Sequence, residues 1–396
     1  MTVLGIVVFV VALLASITLH EAGHLITAKR FGMKATQFFV GFGPTVWSRQ
    51  KGETEYGVKA LPLGGFCKII GMTPLEDEDI EPRDRHRAFF RQPGPQRAVV
   101  LSAGSFTHFL IAFVVLLFIG MGLGVPQRDN PTTAVAQVAQ CVPKKPTGTC
   151  EAGGQATSPA ARAGLDAGDK IVAFAGQQVG SWKELRKAIS SKQPGQTVTL
   201  TVVRGGERHQ LRTTLARDPD GKGAFFGMVA KPAVEHYGPL ESVAYAGTTI
   251  GNMVVASGKV VAALPQAIPN LFSEDRGSTP GGTVTSVVGA ASIAGQVADV
   301  DRGWLVRIRV FLLLLVSLNV FVGLFNMLPL LPLDGGHLAV VCYERGRARI
   351  ARLRGRPEPG HVDMRKLTPA TAVVFVLLIG FGVLLIVADI VNPLRL

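Results

Sequence analysis

No lysine or arginine occurs before Lys29, no internal repeat runs through the chain, and cysteine is confined to four positions. From the first absence, with no convincing small-residue cleavage site, the apolar run that opens at Val3 is expected to be a membrane span and not a secretory signal peptide. The second weighs against a metal transporter, because carriers are built from repeated halves and carry several intramembrane carboxylates. No basic patch studded with aromatics is found either, so the net charge of +13 does not point to nucleic acid. Anionic lipid is the better partner for cations spread over loops.

What the chain has in quantity is apolar sequence. Hydrophobic residues make up 47% of its 396 residues, which places it among membrane proteins. Four stretches are long enough to span a bilayer: Val3 to Ala28, Ala98 to Val125, Val310 to Leu331 and Ala372 to Val391. Lys29, Arg30 and Lys34 follow the first, and six arginines between Arg345 and Arg356 follow the third, so both of those loops are expected on the cytoplasmic side. Both termini and the long segment between spans two and three then lie outside. Cys141 and Cys150 fall in that outer segment, where an oxidising compartment permits a disulfide, whereas Cys67 and Cys342 are expected as free thiols.

The chemistry starts in the first span with His20-Glu21-Ala22-Gly23-His24. Residues i and i+4 share a helix face, so the two imidazoles can hold one tetrahedral metal ion, with Glu21 beside them to take a proton from water. Ionisable groups at membrane depth cost about 2.5–3.5 kcal/mol on insertion scales, so they are rarely idle. A catalytic zinc ion needs a third protein ligand. Asp334 is the sole carboxylate in or beside the third span, and Pro329 and Pro332 must break the helix just before it. Such a break at membrane depth fits a polar cavity. The inner ends of spans one and three lie at one depth in this topology and can meet. His337 is read as a neighbouring or loop histidine, and His108 lies in the second span near the same depth.

Between these parts, Phe31 to Gln50 is rich in glycine and aromatics, with Gly41-Phe42-Gly43-Pro44 reading as a turn, and Thr54 to Ile70 reads as a β-segment at the membrane face, interrupted by Pro62-Leu63-Gly64-Gly65. Pro74 to Pro95 reads as a solvated connector. From about Asn130 to Ala230 strand and helix patterns alternate around Ser158-Pro159-Ala160-Ala161-Arg162-Ala163-Gly164-Leu165 and the Gly168-Asp169 pair, a run that resembles bacterial PDZ domains. Ser242 to Leu264 is rich in small residues and is expected as a helix lying along the outer membrane face.

Taken together, His20-Glu21-x-x-His24 and Asn326-x-x-Pro329-x-x-x-Leu333-Asp334-Gly335 resemble the paired motifs of the site-2 protease family of intramembrane zinc metalloproteases, peptidase family M50, in its bacterial PDZ-containing branch and among its actinobacterial members. The resemblance implies a polytopic α-helical membrane protein with four transmembrane helices, a membrane-associated β-segment and one inserted extracytoplasmic PDZ domain of α+β type. The expected divisions are 1–30, first span; 31–97, β-segment and connector; 98–125, second span; 126–231, PDZ domain; 232–309, outer amphipathic region; 310–337, third span; 338–371, basic cytoplasmic loop; and 372–391, fourth span. It also implies one zinc ion on His20, His24 and Asp334, Glu21 as catalytic base, and Asn326, Gly64 and Gly65 as substrate-binding positions. One departure is His108, which stands where the family has an asparagine, so His108 and His337 are candidates for a supporting role around the metal.

The implied activity is cleavage inside transmembrane segments of single-span proteins, such as anti-sigma factors already trimmed by a site-1 protease, in envelope stress signalling at a bacterial plasma membrane. The active site is expected toward the cytoplasm. The PDZ domain is read either as a peptide-capturing module of unknown ligand or as a filter against bulky outer domains. An inactive PDZ scaffold or a metal transporter are the alternatives to an enzyme.

Overall fold

The structure, a computed structural model, describes residues 2–72, 80–143, 156–218, 223–273, 276, 284–299, 303–357 and 359–394. Cys150 and the beginning of the 74–95 connector lie outside them. The chain divides into two compact units, residues 1–123 with 238–396, and residues 124–237.

Helix α1 (Thr2–Arg30) is uninterrupted through the apolar run and ends on Lys29 and Arg30, where cations complement the carbonyl end of the helix. Strands β1 (Ala35–Lys51) and β2 (Thr54–Ile69) follow and pair with one another. The turn expected at Gly41 to Pro44 therefore lies inside a strand. Gly41, Gly43 and Pro44 bend it instead of ending it, and pairing resumes beyond them between Thr45 and Lys59. Both strands double back. Tyr56 opposes Phe38 as well as Arg49, while Phe38 also opposes Cys67. The 55–58 segment is thus paired on both sides, and the 65–69 segment pairs only with β1 among the described residues. Helix α2 (Gly94–Phe118), with Pro95 in its first turn, continues in a wider turn to Leu123.

The second unit contains β3 (Val125–Val138), α3 (Pro159–Arg162), β4 (Lys170–Phe174), β5 (Gln177–Gln178), α4 (Trp182–Ser190), β6 (Thr197–Arg204), β7 (Glu207–Thr214), β8 (Ala216–Arg217), β9 (Ala224–Phe225) and β10 (Met228–Glu235). An antiparallel sheet in the order β10-β3-β4-β6-β7, with β5 on β4, closes over a core that includes Ile171, Phe174, Leu185, Leu200, Val202 and Phe226. The Ser181 hydroxyl caps α4 by accepting from the Glu184 amide. Asp169, buried, accepts from the Arg204 guanidinium at 2.7 and 2.8 Å. That contact, the N–H of Arg204 on its carboxylate, holds Asp169 below the usual carboxylate range against the opposing effect of burial. Cys141 is disulfide-bonded.

The first unit resumes with α5 (Pro239–Ala267), α6 (Val287–Asp299), α7 (Trp304–Asn326), α8 (Asp334–Leu353) and α9 (Thr368–Val391). Among the described residues five helices are long and apolar enough to cross a membrane, namely α1, α2 with its extension, α5, α7 and α9, where four are expected from the sequence. The additional one is α5, a single helix of 29 residues through the small-residue stretch. The basic loop expected from residue 338 is, as far as Leu353, the body of α8, for arginine is a good helix former. Helices α1, α2 and α7 pack together, and α6 lies along the first half of α1, with Phe9 against Ala290, Ala291 and Ala294. Cys67 and Cys342 are free thiols, and burial pushes that of Cys67 up to about 12.

Candidate metal centre

One turn apart on α1, His20 and His24 face inward against α2, and both are buried. Their Nε2 atoms lie 3.2 Å apart, and each is 3.4 Å from Oδ2 of Asp334. Asp334 reaches them because α7 stops at Asn326 and α8 starts afresh at Asp334 itself, with a cis peptide at Leu331-Pro332 in between. Gly335 and Gly336 allow this fold-back. A methyl on Gly335 would collide with the Met327 and Leu328 carbonyls, and one on Gly336 would lie 2.5 Å from Leu330 and Leu331 backbone atoms. The Leu-Asp-Gly-Gly run is thus a means of bringing a carboxylate to two imidazoles.

The three donors suit a cation. A tetrahedral ion with bonds of about 2.0–2.1 Å holds its ligand atoms about 3.3–3.4 Å apart, and the observed separations are 3.2, 3.4 and 3.4 Å. Asp334 Oδ2 is buried without a hydrogen bond among the described residues. Among the described residues, His20, His24 and Asp334 are the group able to hold a metal ion. Gly104 of α2 closes the other side: a Cβ there would be 2.7 Å from Nε2 of His20 and nearer still to Nε2 of His24.

Around these donors the support is uneven. The Nδ1–H of His24 donates to the Val100 carbonyl at 2.7 Å, which orients the ring, whereas Nδ1 of His20 has no partner among the described residues. The ring of His108 lies beside that of His20, with centroids 4.9 Å apart. Nδ1 of His108 meets Oδ1 of Asn319 at 2.8 Å, and Nδ2 of Asn319 donates to Ser16 Oγ and to the Leu315 carbonyl. Asn319, Ser16 and Gly104 escaped the sequence reading. The first two are isolated polar residues in spans, a signal that they have work to do but one that names no partner.

Glu21 lies on the flank of α1 that faces the sheet, and a Cβ on Gly65 would sit 3.5 Å from its Cγ. Gly64 has φ +148 and lies under the Phe42 ring. Asn326 is half-buried at the last turn of α7. His337, in the first turn of α8, is outside the donor group and lines a small cavity with Arg97, Glu344 and His361. Of the substrate positions expected from the sequence, Gly65 is thus the one placed beside Glu21.

Comparison with known proteins agrees with this chemistry. Residues 8–357 match the model of peptidase family M50. The zinc metalloprotease Rip1 of Mycobacterium tuberculosis is 40% identical over 100% of this chain and 99% of its own length, and Rip1 of Mycolicibacterium smegmatis is 38% identical over 99% and 98%. Among solved structures, the PDZ domain of an SdrC-like protein from Listeria monocytogenes is 25% identical, covering 25% of this chain and 87% of its own with a TM-score of 0.18. With a full-length match of this kind, and two histidines and a carboxylate gathered at one point, the chain belongs to peptidase family M50 and is an intramembrane zinc metalloprotease.

Proposed function

We propose that His20, His24 and Asp334 hold one zinc ion and that Glu21 moves the protons in hydrolysis of peptide bonds within transmembrane segments of single-span proteins. The observation that carries this reading is the near-tetrahedral spacing of the three donors. Zinc at this position supplies polarisation of the scissile carbonyl and a water acidified toward a pKa of about 7. The Glu21 carboxylate accepts the proton of the attacking water and delivers it to the leaving nitrogen. A substrate helix must unwind before its carbonyls are exposed, and the freed backbone groups then need partners. The 65–69 segment of β2, with no second strand beside it among the described residues and Gly65 next to Glu21, offers them by strand addition, and Asn326 adds a side-chain amide.

Four helices cross the membrane in this reading, α1, α2, α7 and α9, with both termini and the 124–237 unit outside. Helix α5 lies along the outer face. This is supported by its two ends: Ser242 in its first turn lies against Gly120 at the end of α2, and Leu264 clusters with Leu385 and Ala388 near the end of α9. The 124–237 unit is a PDZ domain that excludes substrates with bulky outer domains, which limits the enzyme to proteins already trimmed, of which anti-sigma factors are the expected class. Glu21→Gln tests the core of the reading. Zinc content should be unchanged while cleavage of a membrane-embedded reporter falls by about 100-fold or more. Retained cleavage would remove Glu21 from the chemistry.

A further inference from the structure

The two metal-binding imidazoles differ in what stands behind them. Metal-ligating histidines nearly always donate their second ring N–H to an acceptor that fixes the tautomer and orientation. His24 does so to Val100, and Nδ1 of His20 is buried without a partner among the described residues. The ring next to that of His20 is His108, 2% exposed and anchored through Nδ1 to Asn319, itself 1% exposed.

The tautomer of His108 follows from Asn319. A backbone carbonyl only accepts, so the Asn319 atom 2.9 Å from the Leu315 carbonyl is its NH₂, and the same group reaches Ser16 Oγ at 3.2 Å. The amide oxygen is then the atom facing Nδ1 of His108, which must carry the hydrogen. In neutral imidazole that leaves a lone pair on Nε2. Two imidazoles joined by an N–H···N bond of about 2.9 Å have centres about 5 Å apart; these centres are 4.9 Å apart, so the rings are near enough for that bond to form, although it is not made in the structure.

We propose that His108 is a positioning residue: its Nε2 accepts the Nδ1–H of His20 when the metal is bound, so that a relay from Leu315 and Ser16 through Asn319 and His108 aims one ligand from two other helices. This inference rests on His20 being a zinc ligand. It explains why three spans each place a buried polar side chain at this spot, Ser16 on α1, His108 on α2 and Asn319 on α7. Polar groups in an apolar surround are costly unless they complete one another.

The test uses the full chain in nanodiscs and competition with a chelator for zinc. His20→Ala should abolish tight binding; if it does not, the zinc reading itself fails, separately from the relay. With that control in place, His108→Phe should weaken zinc about 10- to 100-fold, and His108→Gln, which keeps an acceptor, should stay within about 3-fold of the parent. A merely structural His108 would lower the melting temperature in His108→Phe and leave zinc affinity unmoved. That result, or equal losses in the Phe and Gln variants, overturns the relay. Nitrogen-15 histidine spectra of the unsubstituted zinc-free chain give a second reading that needs no variant: His108 should be neutral with its hydrogen on Nδ1, and a hydrogen on Nε2 overturns the assignment.

Discussion

Gly104 lies so close to His24 that the Nε2 of the imidazole occupies the space a methyl group would need. Helix α2 is in effect the rear wall of the metal centre. Gly104→Ala should therefore reduce zinc affinity at least about 10-fold and lower cleavage with it, because the metal-facing nitrogens cannot both keep their positions. Gly251→Ala on α5, with nothing within 4 Å of the added methyl, is the matched control and should be neutral or slightly stabilising. Zinc per chain and chelator competition distinguish the two.

Gly65 is the backbone neighbour of Glu21. A side chain there would approach Glu21 Cγ at 3.5 Å and the Phe39 carbonyl at 3.0 Å, in the space assigned to the substrate backbone. Gly65→Val should lower turnover by up to about 100-fold with zinc content unchanged. Normal turnover would move the substrate path away from this strand.

Arg276 and Asp389 form an ion pair at 2.7 Å with side-chain exposures of 2% and 1%, and Asp389 also accepts from Thr285 and the Ser286 amide. Breaking such a pair strands a buried charge, so Asp389→Ala should cost about 3–5 kcal/mol, whereas the joint Arg276→Met and Asp389→Leu replacement should recover most of it. Denaturation of the purified chain in detergent measures both. Similar losses in the single and joint variants would mean that the pair holds α9 by geometry and not by charge balance.

The Asp169 carboxyl is held below its ordinary range by Arg204. Its folded pKa is thus lower than the unfolded value of about 3.9. Its contribution is complete above the unfolded value and is lost as pH falls through the folded one. Thermal unfolding of the 124–237 unit should shift downward as pH falls below about 4, and Asp169→Asn should be less stable at pH 7 and flatter across that window. An unchanged pH slope in the variant would assign the acid sensitivity to other carboxylates.

Deleting residues 130–230 tests the filter. Cleavage of an untrimmed single-span substrate should rise from background toward the rate seen with the trimmed one. Continued rejection would mean that size is judged elsewhere.

His20 and His24 are legible together because helical spacing alone puts them on one face, and Asp334 because two prolines stop a span beside its one carboxylate. The doubled-back sheet is harder to read, since Gly41, Gly43 and Pro44 signal a turn whether a strand ends there or bends. The length of α5 is obscured by Ala, Gly and Ser, which fit an interfacial helix and a span equally well. The polar chain behind His20 cannot be found by spacing at all. His108 and Asn319 are 211 residues apart and Asn319 and Ser16 are 303 apart, so only the packing of three helices brings them together.

The border at Gly65 to Ile69 has a further consequence for selectivity. An open strand offers amide hydrogens and carbonyl oxygens, and these are the same in every polypeptide. Grip of that kind is blind to side chains. Discrimination would then shift to how readily a membrane helix loosens, favouring clients with glycine, asparagine or proline near the scissile bond over uniformly leucine-rich ones.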